Sequence, residues 1–193
     1  MSGNDADTIQ HLQHLDIPVY LSEPKDLDSI EANIRKLGQL TQTQTQANRE
    51  ADAFAEKRQS LYKQHAHKKP IRIFYQVWED PLYTLGGGHF SIDMFKLCGG
   101  VNIFNDLEKP APIVNLEAVI SRNPQVMLTG DHHGKRSIDN WRETWQQWPK
   151  IDAVRHNLLF FVNQDIYTRS SPRALQAADH LCQLLDQARE VYY

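Results

Sequence analysis

The chain has 193 residues, 40% of them hydrophobic and 23% charged, the balance of a globular chain and not of a disordered one. Its 21 basic and 24 acidic side chains leave a formal net charge of -3, so there is no bulk basic field to hold nucleic acid or an anionic membrane. No window approaches the roughly 20 apolar residues that a membrane span needs, and the polar, acidic Met1–Asp7 lacks the basic and apolar regions of a secretion signal.

In chain order, Ile9, Leu12 and Leu15 at helical spacing predict a short helix over 5–15. Ile17-Pro18-Val19-Tyr20-Leu21 reads as a strand, with Pro18 at its start, where a missing N–H does least harm. Asp26 is placed to cap a helix whose one face carries Leu27, Ile30, Ile34 and Leu37, with Gly38 near its end. Thr43 to about His65 has no Pro or Gly and predicts a long helix, about 23 residues and roughly 35 Å. Its apolar stripe (Ala47, Ala51, Phe54, Ala55, Leu61, Tyr62) is thin, which suits a connecting strut with much solvent contact.

After Lys68-Lys69-Pro70, strands and helices alternate in the manner of an α/β unit. Ile71–Val77 reads as a buried strand, and Trp78–Tyr83 as a loop. Gly86-Gly87-Gly88 leads to a helix from about His89 to Leu97, which Cys98-Gly99-Gly100 stops ahead of Val101–Phe104. Pro110-Ala111-Pro112 is an extended break, and Asn115 caps a short helix to about Arg122. Gln125–Thr129 and Asn157–Val162 are strands, 130–134 a loop, 137–148 a helix, and Ser171–Glu190 the last helix. The single helix–strand–helix unit ahead of the long helix is too little for a lobe of its own. The chain therefore reads as lacking an upstream part.

Few motifs carry chemistry. The glycine triplet lacks the ending of a phosphate loop, so it reads as a turn that permits close packing. Asp131, His132 and His133 follow a strand, where α/β folds place ligands, and His89 is the one further metal-ligand candidate. No nucleophile elbow, zinc-protease motif or catalytic carboxylate pair is present. Trp141, Trp145 and Trp148 share a helix face and suit core packing, whereas Trp78, Tyr83 and Tyr167 lie in loops, where aromatics offer stiff contact surface. Cys98 and Cys182 have no zinc-type spacing; they are either two buried thiols or one disulfide, whose loop of about 85 residues would contribute roughly 4–5 kcal/mol in the chain-entropy argument.

From Ile73-Phe74-Tyr75-Gln76-Val77-Trp78-Glu79-Asp80-Pro81-Leu82-Tyr83-Thr84 onward a familiar order appears. It runs through Leu97-Cys98-Gly99-Gly100-Val101-Asn102-Ile103-Phe104, Val114-Asn115-Leu116-Glu117-Ala118-Val119 with Asn123-Pro124, and Arg169-Ser170-Ser171-Pro172-Arg173. In this order and spacing the chain resembles the helical-backbone (class III) substrate-binding proteins of ABC importers, periplasmic cobalamin binders (BtuF-like) above all, with ferric-siderophore binders as near cousins.

That resemblance implies an α/β fold divided as 1–42, a remnant of an N-terminal lobe; 43–67, the long backbone helix; and 68–193, a complete C-terminal lobe. It implies a Cys98–Cys182 disulfide, and a ligand cleft with Tyr83 and the stretch Asp165-Ile166-Tyr167 as contacts; Trp78, an aromatic of the same loop as Tyr83, and His132, placed after a strand end, join them as candidates from the residues themselves. It assigns Glu117 to docking on an arginine pocket of the membrane permease. Where the best-known cobalamin binder carries a cleft tryptophan between two prolines, this chain has Ala111; and Ile166 stands where an indole is expected. The reading is a non-enzymatic, monomeric, periplasmic protein with no metal and no cofactor. It binds a corrinoid, touches no nucleic acid, and delivers its ligand to the permease subunits. The alternatives are a ferric siderophore or haem as ligand, or a metal-dependent enzyme built on the His132/His133 loop.

Overall fold

Capping and close packing shape the N-terminal part. The computed structural model describes residues 6–130 and 137–193. Helix α1 (Ala6–His14) buries none of its residues. The strand expected over Ile17–Leu21 does not form: the segment has no ladder partner among the described residues, and Ile17, Tyr20 and Leu21 stay exposed. A strand needs a second backbone to satisfy its N–H and C=O groups, which an apolar run alone does not supply. Helix α2 (Leu27–Leu40) starts in a capping box: the Asp26 carboxylate accepts the Ser29 N–H at 2.7 Å, and the Ser29 hydroxyl accepts the Asp26 N–H at 3.0 Å. Helix α3 (Gln44–His65) folds back along it. Gly38 permits the approach, since a Cβ there would lie 2.2 Å from that of Ala47. Ala47, Ala51, Phe54 and Leu61 of the expected stripe are buried, while Tyr62 faces outward. The cut expected at residue 42 falls between α2 and α3, yet Leu27 and Ile30 of α2 join the same buried cluster as the sheet.

The rest alternates around a sheet. In chain order come β1 (Ile71–Trp78), β2 (Tyr83–Thr84), α4 (Ser91–Leu97), β3 (Gly100–Asn102), α5 (Leu116–Arg122) and β4 (Val126–Gly130). They are followed by α6 (Ile138–Gln146), α7 (Asp152–Arg155), β5 (Leu159–Val162), α8 (Gln164–Thr168) and α9 (Ala174–Tyr192). β1 is central: one edge pairs in parallel with β4, which pairs in parallel with β5, and the other edge takes β3 in parallel and β2 antiparallel.

Alternation along β1 divides the core. Ile71, Ile73 and Tyr75 pack with α4 and α9 on one face. Phe74 packs on the other with Phe104, Val119, Trp141 and Trp145. Gln76, on that second face, is buried, and its Oε1 accepts both indole N–H groups, from Trp141 and Trp145, each at 2.8 Å. Trp141 and Trp145 are therefore core residues, as their spacing predicts, and each has a satisfied N–H. Trp148, expected on the same face, lies past the end of α6 and is 38% exposed, because the helix stops at Gln146 before its turn reaches that face.

One covalent tie and one arginine close the far end. Cys98 and Cys182 are bonded, with Cα atoms 4.8 Å apart, joining the end of α4 to α9. Arg189 donates from Nη2 to the Cys98 carbonyl at 2.7 Å, from Nε to the Lys69 carbonyl at 2.8 Å, and from Nη1 to Asp186 at 2.7 Å. Gly99 between them has φ +69, where a side chain would be strained and would meet Arg189.

Candidate functional site

Parallel strands deliver their carboxyl ends to one rim. The registers Gln76↔Thr129 and Gly130↔Val162 set the ends of β1, β4 and β5 side by side. That rim is where open α/β sheets accept ligands. Among the described residues, the segments leaving it are 79–82 and α8. Asp131, His132 and His133 lie outside the described residues.

Trp78 closes β1 with 42% of its surface exposed, and its indole N–H donates to the Asp80 carbonyl at 3.0 Å. Tyr83 is its antiparallel register partner, so the loop expected over 78–83 is a short hairpin and the two aromatics are neighbours. Tyr83 also bridges to Ile113, and the Thr84 and Val114 N–H groups bond to the carbonyls of Pro112 and Leu82. A depression of about 620 Å³ lies over this junction, lined by Tyr83, Ala111, Pro112, Ile113 and the 106–109 stretch. Ile113 is 58% exposed there, an apolar contact that the sequence reading did not select. Its signal was the extended Pro110-Ala111-Pro112 run beside a strand end.

The glycine triplet holds this wall in place. The N–H of Gly86 donates to the Pro110 carbonyl at 3.0 Å and that of Gly87 to the Leu107 carbonyl at 2.7 Å. A Cβ on Gly87 would lie 2.3 Å from the Asn105 carbonyl oxygen. These amides are spent on the chain itself, which supports close packing and leaves them unavailable to a phosphate.

The stretch 165–167 requires a correction. It belongs to helix α8, not to a loop, with Asn163 Oδ1 accepting the Asp165 N–H at 3.1 Å. The helix divides the three residues. Asp165 faces outward and pairs with Arg169 at 3.0 Å, one turn on. Ile166 is half-buried against the core. Tyr167 is fully buried, stacked on Tyr75 with centroids 6.3 Å apart, and its hydroxyl meets His180 Nδ1 at 3.1 Å. Burial pushes the Tyr167 phenol far above its usual range, so it stays neutral. It supports the rim from beneath and presents no surface to a ligand. Arg169 takes its place as the polar neighbour; the i, i+4 spacing from Asp165 was its signal.

Glu117 lies in the first turn of α5, capped by Asn115 Oδ1, which accepts the Ala118 N–H at 2.8 Å. It is exposed and has no ion-pair partner among the described residues. Because the 112–114 segment pairs with 82–84 and then enters α5, Glu117 and Tyr83 occupy the same end of the α/β unit.

Among the described residues no group of three or more His, Cys, Asp or Glu side chains could hold a metal. His89 is committed elsewhere: its Nδ1 accepts the Ser91 N–H at 3.2 Å, and burial lowers its pKa to about 4. The nitrogen left over carries the ring proton, so it offers no lone pair to an ion.

Comparison with known proteins finds relatives in sequence and in fold. The profile of a family described as periplasmic binding protein matches residues 1–166. The vitamin B12-binding protein of Vibrio cholerae is 36% identical over 190 residues, 98% of this chain and 67% of that protein. The vitamin B12-binding protein of Yersinia pestis is 33% identical over 181 residues, 94% of this chain and 62% of its own. The crystal structure of the periplasmic vitamin B12 binding protein BtuF of Vibrio cholerae superposes with a TM-score of 0.82 at 36% identity, covering 97% of this chain and 72% of that one. The periplasmic haem-binding protein RhuT of Roseiflexus superposes with a TM-score of 0.83 at 18% identity, a likeness of fold. The chain thus spans about two thirds of the length of these relatives.

Proposed function

Because the chain belongs to the periplasmic binding protein family, we propose that it binds a cobalamin and delivers it to the permease of an ABC importer. Membership implies a small-molecule ligand, an ABC permease as partner and a periplasmic place of work. The relatives are binding proteins, which fits a role without catalysis. The observation that carries the corrinoid reading is the match in sequence and fold, across nearly the whole chain, to proteins named for vitamin B12 binding.

The rim chemistry supports it. A corrin is large, flat and mostly apolar at its faces. Trp78, Tyr83, Ile113 and Ile166 offer apolar surface, and Asp165 with Arg169 offers a donor and an acceptor at its border. Affinity comes from aromatic burial; an exposed pair such as Asp165–Arg169 contributes little by itself and serves orientation. Glu117, projecting from the same end, is the contact for a cation on the permease.

Removing one aromatic tests the assignment. Tyr83→Ala should weaken cyanocobalamin binding roughly 10-fold or more, the usual effect of truncating a central aromatic anchor, with the unfolding temperature unchanged. Unaltered affinity would take Tyr83 out of the site.

A further inference from the structure

The depression of about 620 Å³ beside Tyr83 is apolar on one side and charged on the other. Tyr83 and Ile113 line it, and Glu108 and Lys109 border it. Asp106 lines it as well, but its carboxylate is engaged by Arg122, whose Nη2 donates to Oδ2 at 2.9 Å and whose Nη1 bonds to Oδ1. Lys109 is the cation of this lining, and its ammonium has no ion-pair partner among the described residues. The Glu108 carboxylate has none there either. Two opposite charges, adjacent in sequence and not paired with each other, are both open to a group that enters the depression.

The backbone that carries Lys109 is pinned. The Gly86 N–H on the Pro110 carbonyl and the Gly87 N–H on the Leu107 carbonyl bracket residues 108 and 109. A Cβ on Gly86 would lie 2.1 Å from the Lys109 carbonyl oxygen, and one on Gly88 2.3 Å from that of Glu108, so the glycines alone allow this approach. Pro110 further restricts the backbone of the residue before it. Only the Lys109 side chain has freedom left to lose on contact, and a preset anchor of this kind lowers the cost of binding.

A lysine ammonium is a compact point charge that suits a phosphate oxygen. A complete cobalamin carries one such group, the phosphodiester that joins a side arm of the corrin to its nucleotide base. The rest of its periphery is carboxamide, whose N–H groups suit a carboxylate such as Glu108. We infer that Lys109 is a specificity contact for that phosphodiester, by which the rim separates complete cobalamins from corrinoids that lack the nucleotide arm. The inference rests on the corrinoid reading proposed above.

The test titrates the purified full chain with cyanocobalamin, cobinamide phosphate and cobinamide, the last of which keeps the corrin and lacks the phosphate. The unaltered chain should bind the two phosphate-bearing corrinoids roughly 3- to 5-fold more tightly than cobinamide, the scale of an ion pair at an open rim. Lys109→Gln should bring both down to the cobinamide level and leave cobinamide affinity unchanged, a pattern that a loss of structure would not give. Lys109→Arg should keep the difference, and Lys109→Glu should reverse it. Equal affinity of the unaltered chain for all three, or an equal loss for all three in Lys109→Gln, overturns the inference while the corrinoid reading stands. Binding of none of the three overturns both. Haem is titrated beside them, because its propionates would meet the same cation. Haem binding that depends on Lys109, without binding of a corrinoid, overturns the phosphodiester assignment and the corrinoid reading together.

Discussion

The His89 side chain braces the start of α4. It packs on Phe90 with centroids 5.0 Å apart and accepts the Ser91 N–H where the glycine wall turns into α4. Its folded pKa of about 4 lies below the ordinary 6.5, because burial disfavours the imidazolium. The unfolded chain therefore binds the extra proton first, and the stability due to neutral His89 is present above pH 6.5 and lost as the pH falls towards 4. A shift of this size corresponds to roughly 3 kcal/mol. His65, lowered by burial and then by Lys68, acts in the same direction. The carboxyls held low, Asp26 through Ser29 and Asp106 through Arg122, lose their contribution only below 3.8, so the windows separate. Denaturant unfolding should thus show a stability loss between pH 6.5 and 4 that His89→Gln abolishes in large part. An identical loss in that variant would assign it to other groups. At this scale the sequence was legible where spacing alone decides, as at Trp141 and Trp145. It was misleading at Tyr167, where a helix of five residues turned an expected contact inward.

Elements form where a local signal and a tertiary partner coincide. Asp26 and Asn115 mark their helices in sequence and cap them in the fold, where Ser29 completes the box with Asp26. Ile17–Leu21 has the composition of a strand and no ladder partner among the described residues, whereas β2 has two residues in a stretch with the composition of a loop, yet pairs because Trp78 and Tyr83 face each other. Neither outcome is written in local composition, since pairing is a property of two segments. The disulfide belongs to this scale too. It ties the α4 end to α9 across 84 residues, beside the Arg189 clamp and the Lys68–Asp186 pair at 2.8 Å. Replacing both Cys98 and Cys182 by serine should cost about 2–5 kcal/mol and lower the unfolding temperature by roughly 5–15 °C, with cobalamin binding retained. An unchanged unfolding temperature would mean that the Arg189 clamp alone holds the joint.

Across the whole molecule, one strand organises both function and core. β1 sends alternate residues to two apolar clusters and ends in Trp78 at the rim, so the core and the proposed ligand surface share a backbone. This much was readable, because a buried strand followed by alternating helices and strands admits few arrangements. The site was less readable, because its wall comes from segments that meet only in the fold: 82–84 with 112–114, and α8 with the sheet. The chain covers 67% of the length of its Vibrio cholerae relative. The central claim is corrinoid capture by that rim. It is tested most directly by calorimetric titration of the purified chain with cyanocobalamin, beside a ferric hydroxamate and haem. The account predicts saturable one-to-one heat with cyanocobalamin that neither iron compound displaces. Saturable binding of a ferric hydroxamate or of haem, with none of cyanocobalamin, would contradict it.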